Sequence, residues 1–165
     1  MSSPFRLGRS KGFTLIEMMV TITVAIILTT VAVPSFRQLI ANQRIRNASF
    51  DLFSALNFAR SEAIKRNTAV TLRAGAAADG AWSTGWRVVD PTNTAVSLRS
   101  WGAPSNLSIT DLGGVTVVTY GLDGRVSAPA PQLTITSSIS MSGLTQRCVK
   151  ADLSGRPGTA TGSCS

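Results

Sequence analysis

The chain has 165 residues, of which 44% are hydrophobic and 15% are charged, and it carries 16 Lys+Arg against 8 Asp+Glu, a formal net charge of +8. This composition excludes a disordered chain and a fibrous repeat, and the absence of His removes the commonest general base and the commonest metal ligand. Three of the positive charges, Arg6, Arg9 and Lys11, precede the first apolar segment, so the remaining excess is a weaker sign of a polyanionic partner than the full count.

The first predicted element is an apolar helix over residues 13–33, in which Glu17 is the single charged side chain. A helix of this length spans roughly 30 Å, the thickness of the hydrocarbon core of a bilayer. Because basic residues before a membrane segment stay on the cytoplasmic side, the rest of the chain is predicted to lie on the other side. A secretory signal and a plain membrane anchor are the alternatives. The apolar stretch is long for a secretory signal, and Ala32-Val33-Pro34 is a poor cleavage site.

The sequence at the start of this helix, residues 11–17, reads Lys-Gly-Phe-Thr-Leu-Ile-Glu. It resembles the prepilin signature of type IV pilins and of type II secretion pseudopilins. The resemblance implies that residues 1–12 are a leader peptide and that a prepilin peptidase cuts between Gly12 and Phe13. It also implies that the peptidase methylates the new N-terminus at Phe13.

Glu17 is unusual because a carboxylate inside a membrane segment is costly unless it is paired. The resemblance implies that Glu17 pairs with the free N-terminal amine of a neighbouring subunit during filament assembly. The alternative is that Glu17 lies close enough to the membrane surface to reach the headgroups.

The second predicted element, residues 34–67, continues the helix beyond Pro34 as an amphipathic segment that ends near Arg66. Its apolar residues recur at steps of three and four, which is the pattern of a helix with one buried face: Ala41, Ile45, Ala48, Leu52, Leu56, Ala59 and Ala63. The cations Arg37, Arg44 and Arg46 lie off this face, where they either meet solvent and headgroups or contact acidic residues of adjacent subunits. Residues 56–72 (LNFARSEAIKRNTAVTL) resemble the GspH/FimT branch of the pilin superfamily.

The third predicted element is a β-rich head domain over residues 68–165. Alternating runs separated by Gly, Pro and Asp predict antiparallel strands at 68–73, 85–89, 96–101, 115–120, 132–137 and 147–153. The motifs at 85–90 (GWRVVD) and 121–125 (GLDGR) resemble a strand and a turn of the same branch. The fold class is therefore predicted to be α+β and pilin-like, a long N-terminal helix packed on antiparallel sheets. Trp82, Trp86 and Trp101 are predicted to pack in the sheets.

The C-terminal tail contains the two cysteines, Cys148 and Cys164. In an oxidising compartment such a pair is predicted to form a disulfide, which contributes about 3 kcal/mol in the chain-entropy model. Two cysteines without any His do not predict a metal site.

The stretch Gly155-Arg156-Pro157 resembles the first part of a G-R-x-R motif that is tied to DNA binding in some FimT members, although Gly158 replaces the second Arg. Arg147, Lys150 and Arg156 are the residues predicted to bind DNA in that case.

These features together predict a minor pilin of a type IV pilus, a structural subunit that primes or joins filament assembly in pilus biogenesis, twitching motility or adhesion. Its predicted partners are other pilins and minor pilins, the prepilin peptidase and the inner membrane. It is predicted to cross the inner membrane once, with a cytoplasmic N-terminus and a periplasmic head, and then to be incorporated into an extracellular pilus. The alternatives are a DNA-binding minor pilin for natural transformation and a GspH-type pseudopilin of a type II secretion system. The sequence predicts no enzyme, no cofactor and no metal, because no Ser or Asp has a His partner and no carboxylate pair stands out.

Overall fold

The computed structural model describes residues 12–127 and 129–165. It contains one long helix, a short 3-10 helix and eight strands: α1 (Leu15–Arg66), β1 (Val70–Ala74), the 3-10 helix (Trp82–Thr84), β2 (Trp86–Val89), β3 (Ser97–Trp101), β4 (Leu107–Asp111), β5 (Val117–Tyr120), β6 (Gln132–Ser137), β7 (Arg147–Ala151) and β8 (Pro157–Thr161). The chain divides into two compact units between Arg37 and Gln38. Residues 1–11, which make up most of the predicted leader, lie outside the described residues.

The first unit contains the apolar part of α1, whose side chains are exposed at every position from 13 to 30. Its four threonines do not present free hydroxyls, because each donates a hydrogen bond to a helix carbonyl one turn earlier: Thr21 to Met18, Thr23 to Met19, Thr29 to Ile26 and Thr30 to Ile27. Apart from Glu17, the outer surface of this part of the helix is therefore apolar, and its threonine hydroxyls are satisfied within the helix, as a bilayer requires. By length and composition, α1 can cross a membrane.

The second unit is a head in which the later part of α1 and two four-stranded antiparallel sheets share one core. The strand orders are β3-β2-β1-β5 in the first sheet and β4-β6-β7-β8 in the second. The predicted apolar face of the helix is confirmed, since all seven of its members are buried, and Ile45, Leu52 and Leu56 are at most 1% exposed. They pack in one cluster with residues of both sheets, such as Leu72 and Leu133. The head therefore forms around the helix.

The helix passes Pro34 without ending and stops at Arg66. Asn67 then adopts a positive φ of 51°, a conformation that Asn tolerates better than most residues. The N–H groups of Asn67 and Thr68 donate to the carbonyls of Ile64 and Ala63, so the end of the helix is capped. This turn directs the chain into β1.

The predicted α+β fold is confirmed, and each of the six predicted strands is present within a few residues of its predicted bounds. Two strands, β4 and β8, were not predicted. β4 has only two buried apolar residues, Leu107 and Ile109. β8 reads Pro-Gly-Thr-Ala-Thr and is an exposed edge strand that begins with the proline, a position where the missing N–H does not interrupt a ladder. The apolar alternation of β4 extends only from Leu107 to Ile109, and β8 has none.

Replacing Ile45 with Val is expected to lower the free energy of unfolding of the head by about 1 kcal/mol, because it removes one methylene from a fully packed site. The near-ultraviolet circular dichroism of the tryptophans, all of which lie in the head, reports this unfolding in a denaturant titration of the full-length chain in detergent. The matched control is Ile64→Val on the same helix, where the side chain is 52% exposed and the change should stay within about 0.5 kcal/mol. Equal effects at both positions would contradict the packing of the helix in the head.

Candidate functional sites

The predicted cleavage site lies just before the helix. Gly12 and Phe13 precede Leu15, where α1 begins, and Phe13 is 82% exposed. A Cβ added at Gly12 would meet no atom within 4 Å among the described residues. The peptide bond between Gly12 and Phe13 is therefore not protected by secondary structure in the part of the chain that the structure describes.

Glu17 and Thr14 form a capping box at the N-terminus of the helix. The backbone N–H of Thr14 donates to the Glu17 carboxylate at 2.9 Å, and the Thr14 hydroxyl donates to the same oxygen at 3.0 Å. In return, the backbone N–H of Glu17 donates to the Thr14 hydroxyl at 3.3 Å. This reciprocal arrangement satisfies N–H groups that a helix end otherwise leaves free. The role of Thr14 was not predicted, although Thr-x-x-Glu before an apolar run is the signature of such a box.

The predicted disulfide between Cys148 and Cys164 is present, with the two Cα atoms 5.0 Å apart. It links β7 to the segment that follows β8. Both cysteines are buried, and the backbone N–H of Cys164 donates to the hydroxyl of Thr134 on β6 at 3.0 Å. The C-terminal segment is therefore attached to the sheet by a covalent bond and by hydrogen bonding.

The three cations predicted to bind DNA do not share one surface. Arg147 and Lys150 lie on the same strand three residues apart, and the alternation of a strand places their side chains on opposite faces. Arg147 is on the face toward α1, whereas Lys150 is exposed on the other face.

Arg156 lies in the tight turn between β7 and β8. Asp152 accepts hydrogen bonds there from the hydroxyl of Ser154 and from the backbone N–H of Arg156, at 2.5 and 3.0 Å. These bonds, and the nearby charge of Arg156, lower the pKa of Asp152. Gly155 has a φ of 82°, and a Cβ there would approach the carbonyl oxygen of Gly124 to 1.8 Å, so this position requires glycine. The glycine of the Gly-Arg motif therefore has a packing role.

The tryptophans pack as predicted. Trp82 and Trp86 are buried, and the indole N–H of Trp82 donates to the carbonyl of Val115 at 2.7 Å. Trp101 is half-buried against Phe58, with the guanidinium of Arg99 4.7 Å from its ring centroid. The rings of the tryptophans are therefore in contact with other residues of the head.

A groove of about 320 Å³ lies beside the helix in the head. Its lining comes from three elements, α1, β7 and β8: Arg46, Ser49, Phe50, Phe53, Arg147 and Thr159. Phe50 is 69% exposed, although it stands on the same helix as the core residues. The groove is named the Phe50 groove below. No role was predicted for Phe50, and no local sequence pattern joins it to Arg147, because the two meet only after the head has folded.

A family model described as type II transport protein GspH matches residues 48–155, well over half of the chain. The chain belongs to this family. A second model, the prokaryotic N-terminal methylation motif, matches residues 7–33, which include the predicted cleavage site and the apolar helix. The GspH match thus covers most of the head, and the methylation motif covers the apolar segment before it. No curated protein matches the sequence significantly.

Two solved structures of the type IV minor pilin FimU from Pseudomonas aeruginosa are similar to this GspH-family chain. One has a TM-score of 0.60 at 21% sequence identity and covers 72% of this chain and 89% of FimU. The other, from a different crystal form, has a TM-score of 0.57 at 22% identity and covers 70% of this chain and 91% of FimU. At this identity the similarity establishes a common fold, α1 with two antiparallel sheets.

Proposed function

We propose that this chain is a minor pilin, a structural subunit that primes or joins the assembly of a type IV pilus. The observation that carries the proposal is the combination of an N-terminal methylation motif with a head of the GspH family in one chain. The similarity of the fold to FimU, itself a type IV minor pilin, favours a pilus over a type II secretion pseudopilus. The apolar helix is the polymerising element in this proposal, and the head selects the neighbours.

The proposal includes a maturation pathway. The prepilin peptidase removes residues 1–12 and methylates the amine of Phe13, and α1 holds the mature chain in the inner membrane until the chain enters the pilus. The leader faces the cytoplasm and the head faces the periplasm. The disulfide supports this orientation, because disulfides persist in the periplasm and are rare in the cytosol.

Intact-mass spectrometry of the protein from cells with and without the prepilin peptidase tests the maturation. With the peptidase, the expected mass is that of residues 13–165 plus one methyl group, less the two hydrogens lost on disulfide formation. Without it, the expected mass is that of the uncleaved chain. An uncleaved mass in both strains would mean a plain membrane anchor and would overturn the proposal.

The same mature mass should be found in pili sheared from the cell surface. A mature chain that is absent from sheared pili, but whose deletion blocks protein secretion, would assign it instead to a type II secretion pseudopilus.

The positions of the three tail cations do not favour DNA as a partner. Nucleic acids are held by cations that follow the phosphate backbone along one surface. Arg147 and Lys150 lie on opposite faces of β7, and Arg156 lies beside the carboxylate of Asp152.

A further inference from the structure

We propose that the Phe50 groove binds an acidic segment of a different protein subunit of the filament, one in which an Asp or Glu lies next to an apolar side chain. This inference rests on the proposed function and adds the chemistry of one partner contact. Three features of the head support it: the two guanidinium groups of the groove, its aromatic side chains and the carboxylates of the head.

The cations of the groove have no acidic partner within the described residues. Neither Arg46 nor Arg147 is within 4.0 Å of a carboxylate in residues 12–127 and 129–165, whereas Arg66, Arg73 and Arg87 all form ion pairs. Arg46 comes from the helix and Arg147 from the start of β7, and both line the same groove. Two unpaired guanidinium groups beside one groove favour an anionic ligand, because the planar fork of Arg matches a carboxylate or a phosphate in two parallel hydrogen bonds.

The floor of the groove is aromatic. Phe53 is partly buried against the core of the head, while Phe50, one turn earlier, leaves 69% of its surface exposed. Thr159, opposite them on the edge strand β8, is also exposed. Aromatic and arginine side chains are enriched among the residues that contribute most of the binding energy at protein–protein interfaces. The ligand must therefore bring an apolar side chain as well as a negative charge.

A second copy of this chain fits the groove poorly. Six of the seven side-chain carboxylates between Gln38 and Ser165 already accept hydrogen bonds from groups of their own chain: Glu62, Asp79, Asp90, Asp111, Asp123 and Asp152. The seventh, Asp51, is half-buried and lines a separate depression with Arg44 and Pro104. In a two-fold contact, a second copy would also bring its own Arg46 and Arg147 toward this groove, and like charges across an interface repel. The occupant is therefore a different subunit.

Photocrosslinking in cells that assemble the pilus tests the inference on the full-length chain. A diazirine amino acid replaces Thr159 in the groove, and in a control strain it replaces Ala160, the next residue, whose side chain lies on the opposite face of β8. The expected result is a crosslinked product at position 159 and none at position 160. The peptide crosslinked at position 159 should come from a different pilus subunit and contain Asp or Glu beside an apolar residue.

Charge reversal then tests the role of the arginines. Arg46→Glu and Arg147→Glu are each expected to reduce the crosslink about tenfold or more, because either change places like charges together. The matched controls are Arg44→Glu on the same helix and Lys150→Glu on the same strand, both exposed residues that do not line the groove, and these should leave the yield unchanged.

The remaining outcomes overturn the inference. A product with a second copy of this chain, a product with DNA, or equal losses from the control reversals would each contradict an acidic partner subunit. If the chain is processed and found in pili but gives no crosslink at position 159, the proposed binding role of the groove would be wrong and the proposed function would stand. If the chain is neither processed nor found in pili, both the proposed function and the proposed binding role of the groove would be wrong.

Discussion

Glu17→Gln is expected to reduce incorporation of the chain into pili to roughly a tenth of the wild-type level or less. The resemblance to type IV pilins implies that this carboxylate neutralises the N-terminal amine of a neighbouring subunit inside the membrane. Removing the negative charge leaves that amine unpaired in a medium where an isolated charge is costly. The measurement is the ratio of this chain in sheared pili to the chain in the membrane fraction, by immunoblotting of matched cultures.

The capping box allows the charge to be separated from the helix cap. Gln at this position keeps a side-chain acceptor for the N–H of Thr14, since Gln replaces Glu in such boxes. Thr14→Val is the complementary control, because it removes the capping hydroxyl and keeps the carboxylate. Thr14→Val is expected to incorporate at a level close to wild type. If Thr14→Val failed and Glu17→Gln assembled normally, Glu17 would serve as a helix cap and the pairing with a neighbour would be wrong.

The elements that the sequence predicted well are those whose signal is local and long. The apolar face from Ala41 to Ala63 continues over many turns, so its burial followed from its spacing alone. The central strands of the sheets, such as β1 and β6, have buried residues in strict alternation. The edge strand β8 has no such alternation, and it is a strand because β7 provides its hydrogen-bonding partners over the whole length from Pro157 to Thr161.

The candidate sites also divide into those that a local sequence signal predicted and those that have no such signal. A contiguous motif pointed to Gly12, Phe13 and Glu17, and two cysteines in a domain predicted to face an oxidising compartment pointed to the disulfide. The Phe50 groove could not be predicted, because Arg46 and Arg147 are distant in the sequence and meet only when the head has folded.

Buried Arg87 was also missed, for a related reason. It is 8% exposed and donates to the carbonyl of Gly75 and to the carboxylate of Asp79 at 2.7 and 2.6 Å. Asp79 also pairs with Arg73, so a loop rich in Gly and Ala is attached to the sheet by charges that lie in the strands. A polar residue in a strand pattern ordinarily predicts an exposed side chain, and only the folded loop reverses that expectation.

Replacing both Cys148 and Cys164 with Ser is expected to lower the free energy of unfolding of the head by about 3 kcal/mol, because the bridge closes a loop of 16 residues in the unfolded chain. The effect should be large in this head because β8 has no large apolar side chain of its own and lies at the edge of the sheet. Without the bridge, its contact with β7 depends on backbone hydrogen bonds and on the Asp152–Arg156 turn.

Denaturant unfolding of the full-length chain, followed by tryptophan circular dichroism, measures this loss as a lower midpoint. Treatment of the wild-type chain with a thiol reductant should give a shift similar to that of the double variant, and the reductant should have no further effect on the variant itself. A midpoint that is the same in the double variant and in the oxidised wild type would mean that the turn, with Gly155 packed on Gly124, holds the tail without the disulfide. The loss is expected to be greater than that of the Ile45→Val change, because a loop constraint acts on the whole unfolded ensemble whereas a lost methylene acts at one site.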